Sequence, residues 1–217
     1  MRFLAAKRQL CLVAVTLSLA VALSACSSRV VLKSIPAEVI PQELKDSVQR
    51  HGTYARPLVS NVVWRVYEIK DGRLFAACTF VQEYAPGVGT GDMMYCVWTS
   101  NLDEAGHMTG PMSIGTGSFR SGEAFQGGHG GGDWLSDTGE RTYSLIAGGY
   151  CLDGRVKAIQ GTTTEGQTVK TKPSGGFWAL ELYNAGPTEA WAKISGIDWR
   201  GRPIVDLEIR PRPWEGS

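Results

Sequence analysis

Short segments in which apolar and polar residues alternate recur through the last two thirds of the chain and predict β-strands. Residues 62–70 and 73–84 are rich in β-branched and aromatic side chains and flank Asp71-Gly72, a typical hairpin turn. Residues 93–100 continue the alternation. These three segments therefore predict consecutive, neighbouring strands of an antiparallel sheet.

The last third of the chain predicts more strands of the same kind. Apolar residues two positions apart mark one face of each of two strands: Trp178, Leu180 and Leu182 in the first, and Val205, Leu207 and Ile209 in the second. Turn dipeptides such as Asp153-Gly154 separate further short segments. The spacing predicts an all-β fold, an antiparallel β-sandwich or barrel of roughly eight to ten short strands.

A short helix is predicted before the first strand. Pro41 fits the first turn of a helix, and Ile40, Leu44 and Val48 recur four residues apart on one face. We expect this apolar stripe to dock against the β-domain.

Glycine interrupts the strand pattern in residues 101–139. Eleven glycines fall in this region, and only residues 112–119 keep a strand-like pattern. Glycine is disfavoured inside strands and common in loops. We therefore expect a long glycine-rich loop region that is either functional or mobile.

The first 25 residues have the layout of a secretory signal peptide. A basic start with Arg2, Lys7 and Arg8 is followed by an apolar run that ends at Leu23-Ser24-Ala25-Cys26. The run is shorter than the roughly 20 apolar residues that a spanning helix needs. We therefore expect cleavage rather than a membrane-spanning segment.

The tetrapeptide Leu23-Ser24-Ala25-Cys26 resembles the lipobox of bacterial lipoproteins. This resemblance implies that Cys26 is acylated, for example with palmitate, and becomes the N-terminus of the mature protein. Ser27 after the cysteine resembles lipoproteins that are sent to the outer membrane, where the source has one. Residues 26–37 are then expected to form a lipidated tether, and residues 38–217 a single β-rich domain. The domain itself resembles no recognised family, although residues 150–207 are faintly similar to C-terminal β segments of exported bacterial proteins through Gly-Gly-Phe-Trp and Ile-Asp-x-x-Gly.

Charge makes nucleic acid an unlikely partner for the mature chain. The whole chain has 22 Lys and Arg against 21 Asp and Glu. Removal of the signal peptide leaves 19 basic and 21 acidic side chains, a formal charge of −2. Proteins that neutralise phosphates carry a basic surface excess, which this composition does not predict.

Three cysteines, Cys78, Cys96 and Cys151, remain in the mature domain beside the acylated Cys26. An exported protein meets an oxidising compartment in which disulfides persist. We expect one disulfide and one free buried thiol. The predicted neighbouring strands favour the pair Cys78 and Cys96, and Cys96 with Cys151 stays an alternative.

No motif in the sequence predicts a catalytic site, a metal site or a cofactor. Gly128-His129-Gly130-Gly131-Gly132 is similar to the oxyanion loop of esterases, but no Gly-x-Ser-x-Gly elbow and no later histidine accompany it. The glycine-rich residues 87–91 join two predicted strands, whereas a phosphate-binding loop precedes a helix. Acidic and histidine residues are not spaced as metal ligands: Asp103, His107, His129, Asp133 and Asp137.

The seven tryptophans divide into two groups. Four lie in predicted strands and are expected in the core: Trp64, Trp98, Trp178 and Trp191. The other three, Trp134, Trp199 and Trp214, adjoin charged residues in predicted loops or the tail. Aromatic residues beside charges are typical of binding surfaces, so these three are candidates for one.

The sequence thus favours a non-catalytic lipoprotein of the bacterial cell envelope, held to a membrane through Cys26 and binding or scaffolding another envelope protein or polymer. Two alternatives stay open. One is an envelope hydrolase that acts on wall polymer or lipid through the glycine-rich loops around His129 and Asp133. The other is a carrier that holds a small ligand in a cavity beneath Trp98 and Trp178.

Overall fold

Antiparallel strands make up most of the structure, a computed structural model that describes residues 29–51, 58–83, 92–120, 122–135 and 141–209. A single 3-10 turn, Ala37–Val39, and one α-helix, α1 (Gln42–His51), precede eleven strands in these ranges. The strands are β1 (Leu58–Lys70), β2 (Arg73–Glu83), β3 (Asp92–Leu102), β4 (Met108–Ser118), β5 (Phe125–Leu135), β6 (Arg141–Cys151), β7 (Ala158–Thr163), β8 (Thr168–Thr171), β9 (Phe177–Ala185), β10 (Trp191–Ile197) and β11 (Pro203–Leu207). The predicted all-β, antiparallel class is confirmed.

The strands form three sheets. Sheet I has the order β1-β2-β3-β4, sheet II the order β5-β6-β9, and sheet III the order β11-β10-β7-β8. Every pair of hydrogen-bonded strands is antiparallel. Sheet I is a meander whose first hairpin turns at Asp71-Gly72, as predicted, with both residues at positive φ.

Sheet I is buried on both faces because its apolar residues occupy both sets of alternating positions. One face packs against α1 and carries Leu74, Ala76, Cys78, Phe80, Cys96 and Trp98. The opposite face carries Ala77, Tyr95 and Val97 and packs against Tyr150 and Phe177 of sheet II. The sheet therefore lies between the helix and sheet II.

Sheet II is covered on its other face by sheet III. Trp178 and Leu180 of β9 pack there with Ile159, Trp191 and Ile194 of sheet III. The order of layers is helix, sheet I, sheet II and sheet III. The tryptophans expected in the core, Trp64, Trp98, Trp178 and Trp191, are all buried.

Helix α1 begins after Pro41 and turns its predicted stripe inward. Ile40, Leu44 and Val48 are buried against sheet I. The Nε1 of Trp98 donates a hydrogen bond to the Oγ of Ser47, 3.3 Å away, so a polar group of the sheet finds its partner on the helix. The predicted short N-terminal helix is confirmed.

Residues 101–139 do not form the expected loop region. They contain β4 and β5, and Gly128-His129-Gly130-Gly131-Gly132 lies within β5, paired with β6. Close approach of the layers requires glycine at some of these positions: a Cβ on Gly115 of β4 would lie 2.7 Å from the Cα of Gly148 in β6. Low strand propensity is outweighed by this packing requirement.

The expected tether of residues 26–37 is attached to the domain from Arg29 onward. Arg29 forms a β-bridge with Asp153, and Ile35 forms one with Trp64. Between them the side chain of Leu32 packs against the cluster that joins sheets I and II. Leu32 and Ile35 supply apolar surface that an extended tether would leave in water.

Candidate functional site

A cleft of about 430 Å³ opens where edges of the three sheets meet. It is lined by Glu68 and Lys70 of β1, Arg73, Leu74 and Phe75 of β2, Thr99 of β3, residues 169–174 of β8 and the following bend, and Ala179, Leu180 and Glu181 of β9. Strand β8 is the last strand of sheet III, and β9 is the last strand of sheet II. The cleft therefore lies between two strand edges, where backbone groups not used by the ladder are available.

The bend after β8 closes one side of this cleft. The backbone groups of Ser174 and Phe177 bond to each other in both directions, each at 2.8 Å, and Gly175 and Gly176 between them have positive φ. The hydroxyl group of Ser174 donates a hydrogen bond to Glu68 of β1. This bond ties the bend to sheet I.

The floor of the cleft holds a buried carboxylate. The side chain of Glu181 is only 7% exposed, and its Oε2 pairs with the guanidinium of Arg73 and accepts a 2.8 Å hydrogen bond from the hydroxyl of Tyr183. A buried carboxylate needs such partners to offset the loss of hydration. Arg73 is half exposed, so the pair connects the floor to the solvent side of the cleft.

Two polar atoms of the floor have no hydrogen-bond partner among the described residues. They are Oε1 of Glu181 and Oγ1 of Thr99. Leaving a buried polar group unbonded costs roughly 1–3 kcal/mol. A ligand that donates to these oxygens would recover that free energy, so their position at the base of the cleft suits binding.

Three lysines surround the cleft. Lys70, Lys170 and Lys172 are exposed, and none of their ammonium groups pairs with an acid within the described ranges. Glu68 and Glu181, the two acids of the cleft, already bond to Ser174 and Arg73. The rim therefore has unneutralised positive charge, which favours an anionic ligand.

No sequence motif indicates this cleft. Its residues come from five strands of three sheets, and none belongs to a linear motif. The one local signal is Lys170 and Lys172, two residues apart on a strand beside Pro173. Because residues i and i+2 of a strand share a face, such a pair concentrates charge on one side.

The strands that carry Cys78 and Cys96 are neighbours, as predicted. The two residues are direct partners in the ladder between β2 and β3. Both are free thiols in the structure, as is Cys151, so the expected disulfide is not formed. Burial raises the pKa of all three thiols, that of Cys151 to about 11. Catalysis by a thiolate is disfavoured at these positions because the thiolate is the reactive form.

Trp199 is the exposed tryptophan that the sequence predicts. It is 73% exposed, and the Cζ of Arg200 lies 4.4 Å from the centroid of its ring. Trp134 belongs to β5, and Trp214 lies outside the described residues. Of the three predicted surface tryptophans, the structure therefore describes the side-chain environment of Trp199 alone.

Among the described side chains, the other candidate residues do not converge on a site. His107 is exposed on a turn and lies 3.3 Å from Asp103, while His129 is exposed on β5. In the described part of the chain, no three His, Cys, Asp or Glu side chains cluster as metal ligands would. Asp133 belongs to β5, and Asp137 and residues 87–91 lie outside the described residues, as do Leu23-Ser24-Ala25 and Cys26.

The cavity expected beneath Trp98 and Trp178 is not formed. Trp98 packs with Trp64, at 5.5 Å between ring centroids, in the cluster beneath α1. Trp178 stacks on Phe125 in the cluster between sheets II and III. The two rings therefore belong to cores on opposite sides of sheet II and cannot share a ligand.

Within the described ranges, no helix has both the length and the apolar composition that crossing a bilayer requires. Comparison of the chain with protein-family models, with curated proteins and with solved structures gives no match.

Proposed function

We propose that this chain is a lipid-anchored binding protein of the bacterial cell envelope, whose cleft holds an acidic saccharide of that envelope. The anchor is the acylated Cys26. The observation that carries the proposal is the cleft itself, in which unpaired lysines surround a floor with two unsatisfied oxygen atoms.

An acidic saccharide meets both requirements of the cleft. Its carboxylate or phosphate groups would pair with Lys70, Lys170 and Lys172, and its hydroxyl groups would donate to Glu181 and Thr99. The volume of about 430 Å³ is within the usual range for small-ligand sites, roughly 300–1,000 Å³. Phe75, which is partly buried, supplies apolar surface for the less polar side of a sugar ring.

Binding is tested with a soluble wall fragment, a disaccharide-peptide that carries free carboxylates. We expect isothermal titration to detect binding by the wild-type protein and at least about tenfold weaker binding by the double variant Lys170→Glu/Lys172→Glu. A neutral chitin oligosaccharide of the same size should bind weakly to both proteins. Because the contacts are ionic, the affinity should also fall as salt is raised.

Lys33→Glu/Lys45→Glu is the matched control, since this double variant makes the same change of net charge at two residues outside the cleft. Its affinity should equal that of the wild type. Equal affinities for wild type and the double variant would contradict the cleft as the binding site. Release of new reducing ends from the fragment would instead identify an enzyme.

The anchor has its own test, which does not depend on the cleft. Cys26→Ser should abolish labelling of the protein by radioactive palmitate in bacterial cells and leave an unprocessed precursor. Labelling of the variant at the wild-type level would rule out Cys26 as the acylated residue.

A further inference from the structure

We propose that one end of the domain is a membrane-contacting surface that seats an exposed tryptophan and several cations on anionic lipid headgroups. This lipid-facing end consists of Arg29 and Val31, the turn of residues 153–157, and the turn of residues 198–202. The proposal uses the anchor of the proposed function but not its cleft.

Backbone contacts bring these three segments together. Arg29 bridges to Asp153, and the N–H of Val30 donates to the carbonyl of Leu152 at 2.9 Å. The N–H of Lys157 donates to the carbonyl of Ile197 at 2.8 Å, directly before the second turn. The first described residue and the turn of Trp199 therefore lie at the same end of the molecule.

The position of Arg29 fixes this end close to the lipid. Only three residue steps separate Arg29 from Cys26. A fully extended chain covers about 3.3–3.6 Å per residue, so Cys26 is at most about 11 Å from Arg29 along the chain. Acyl chains on Cys26 would hold this end against the bilayer.

Trp199 is held out by a well-ordered turn. The Oδ1 of Asp198 accepts hydrogen bonds from the backbone N–H groups of Arg200 and Arg202, at 2.8 and 2.9 Å, and its Oδ2 pairs with the side chain of Arg202. Gly201 completes the turn at φ +78°. The turn thus presents a 73% exposed ring, with the guanidinium of Arg200 4.4 Å from its centroid.

A second exposed apolar side chain lies at the same end. Val31 is 81% exposed, and it follows the residue that bonds to Leu152. Tryptophan favours the interface between headgroups and acyl chains because its ring is both apolar and a hydrogen-bond donor. Trp199 and Val31 are therefore suited to insertion to a shallow depth.

The charge of this end complements an anionic bilayer. Arg29, Arg155, Lys157, Arg200 and Arg202 are all exposed there. The two carboxylates of the turns, those of Asp153 and Asp198, are mostly buried and already pair with Arg155 and Arg202. Clusters of basic residues beside a lipid anchor add electrostatic attraction to the hydrophobic anchor.

The test uses the mature acylated protein reconstituted into vesicles of phosphatidylglycerol and phosphatidylcholine. Brominated acyl chains quench tryptophan fluorescence only at short range, so the quenched fraction reports insertion, whereas flotation with the vesicles reports the anchor. We expect brominated lipid to quench the wild-type protein, and Trp199→Phe to lose at least about half of that quenching while still floating. Hydrogen exchange of residues 198–202 should be slower on these vesicles than in detergent.

The variants Arg200→Glu and Lys45→Glu distinguish an effect of charge at the lipid-facing end from an effect of the net charge of the protein. Both change the net charge equally, but only Arg200 lies at the lipid-facing end. Arg200→Glu should reduce quenching in vesicles that contain phosphatidylglycerol, and Lys45→Glu should not. Flotation with equal quenching of wild type and Trp199→Phe would overturn the proposed surface and leave the anchor standing. Failure to float would overturn both.

Discussion

The hydroxyl group of Thr99 is expected to lower the stability of the fold and to favour ligand binding. Its Oγ1 is buried at the base of the cleft without a hydrogen-bond partner among the described residues, although it follows the well-packed Val97 and Trp98 on β3. A hydroxyl group in this state destabilises the fold relative to a methyl group of the same shape. The ligand proposed above would give this hydroxyl group a hydrogen-bond partner.

We expect Thr99→Val to raise the free energy of unfolding by about 1 kcal/mol, because the variant removes an unbonded polar group without changing the side-chain volume. The same variant should weaken binding of the wall fragment. Urea unfolding and calorimetric titration measure the two effects. Thr79→Val is the control, since Thr79 is also buried on sheet I but its Oγ1 accepts a 3.1 Å hydrogen bond from Arg65. Lower stability of Thr99→Val would show that the hydroxyl has a partner in the folded protein.

The raised pKa values of the three buried thiols predict how the stability of the protein depends on pH. Burial raises the pKa of each of these thiols in the folded state above the usual value for cysteine. The unfolded chain therefore releases these protons at lower pH than the folded chain does. The free energy of unfolding that this shift contributes is fully present below about pH 9 and is lost as pH rises above it. Denaturation curves between pH 8 and pH 10.5 should show this decline.

Alkylation tests the raised pKa values at individual cysteines. At pH 8 we expect iodoacetamide to leave Cys78 and Cys96 unmodified in the folded protein and to label them after unfolding without a reductant. Rapid labelling of the folded protein would contradict the raised pKa values. If the unfolded, unreduced protein resisted labelling at these two positions, a disulfide would be present after all.

At the scale of elements, β4 and β5 show where sequence patterns fail. Alternation of apolar and polar residues predicted the strands of the last third and the stripe of α1, because those residues bury side chains. In the glycine-rich strand β5 the backbone itself packs against neighbouring residues. A pattern of side-chain polarity carries no information about such backbone packing. The cleft was not predicted for a related reason. Strands that are distant in the sequence line it, so no local pattern indicates it.

Gly115→Ala tests the close approach of sheets I and II. The new Cβ would lie 2.7–2.9 Å from backbone atoms of Gly148, which a change of rotamer cannot relieve. We expect the free energy of unfolding to fall by at least about 2 kcal/mol. Gly130→Ala on β5 is the control, because no atom lies within 4 Å of its added Cβ and its φ is not positive. Equal stability of the two variants would show that the layers are farther apart.

At the scale of the molecule, the layers are connected through shared residues. Sheet II contributes Tyr150 and Phe177 to the cluster with sheet I, and Trp178 and Leu180 to the cluster with sheet III. Phe177 and Trp178 are consecutive residues of β9. Loss of one cluster therefore exposes a strand on which the other cluster depends.

This connection predicts that the mature protein unfolds in one cooperative transition. Leu44→Ala removes packing beneath α1, and Ile194→Ala removes packing in sheet III, at opposite ends of the stack of layers. Because both side chains are fully buried, each substitution should lower the free energy of unfolding by about 2–5 kcal/mol. Because the layers unfold together, each variant should shift the transitions followed by far-UV circular dichroism and by tryptophan fluorescence to the same lower denaturant concentration. Two separate transitions, each shifted by only one of the variants, would instead divide the chain into independently folding units.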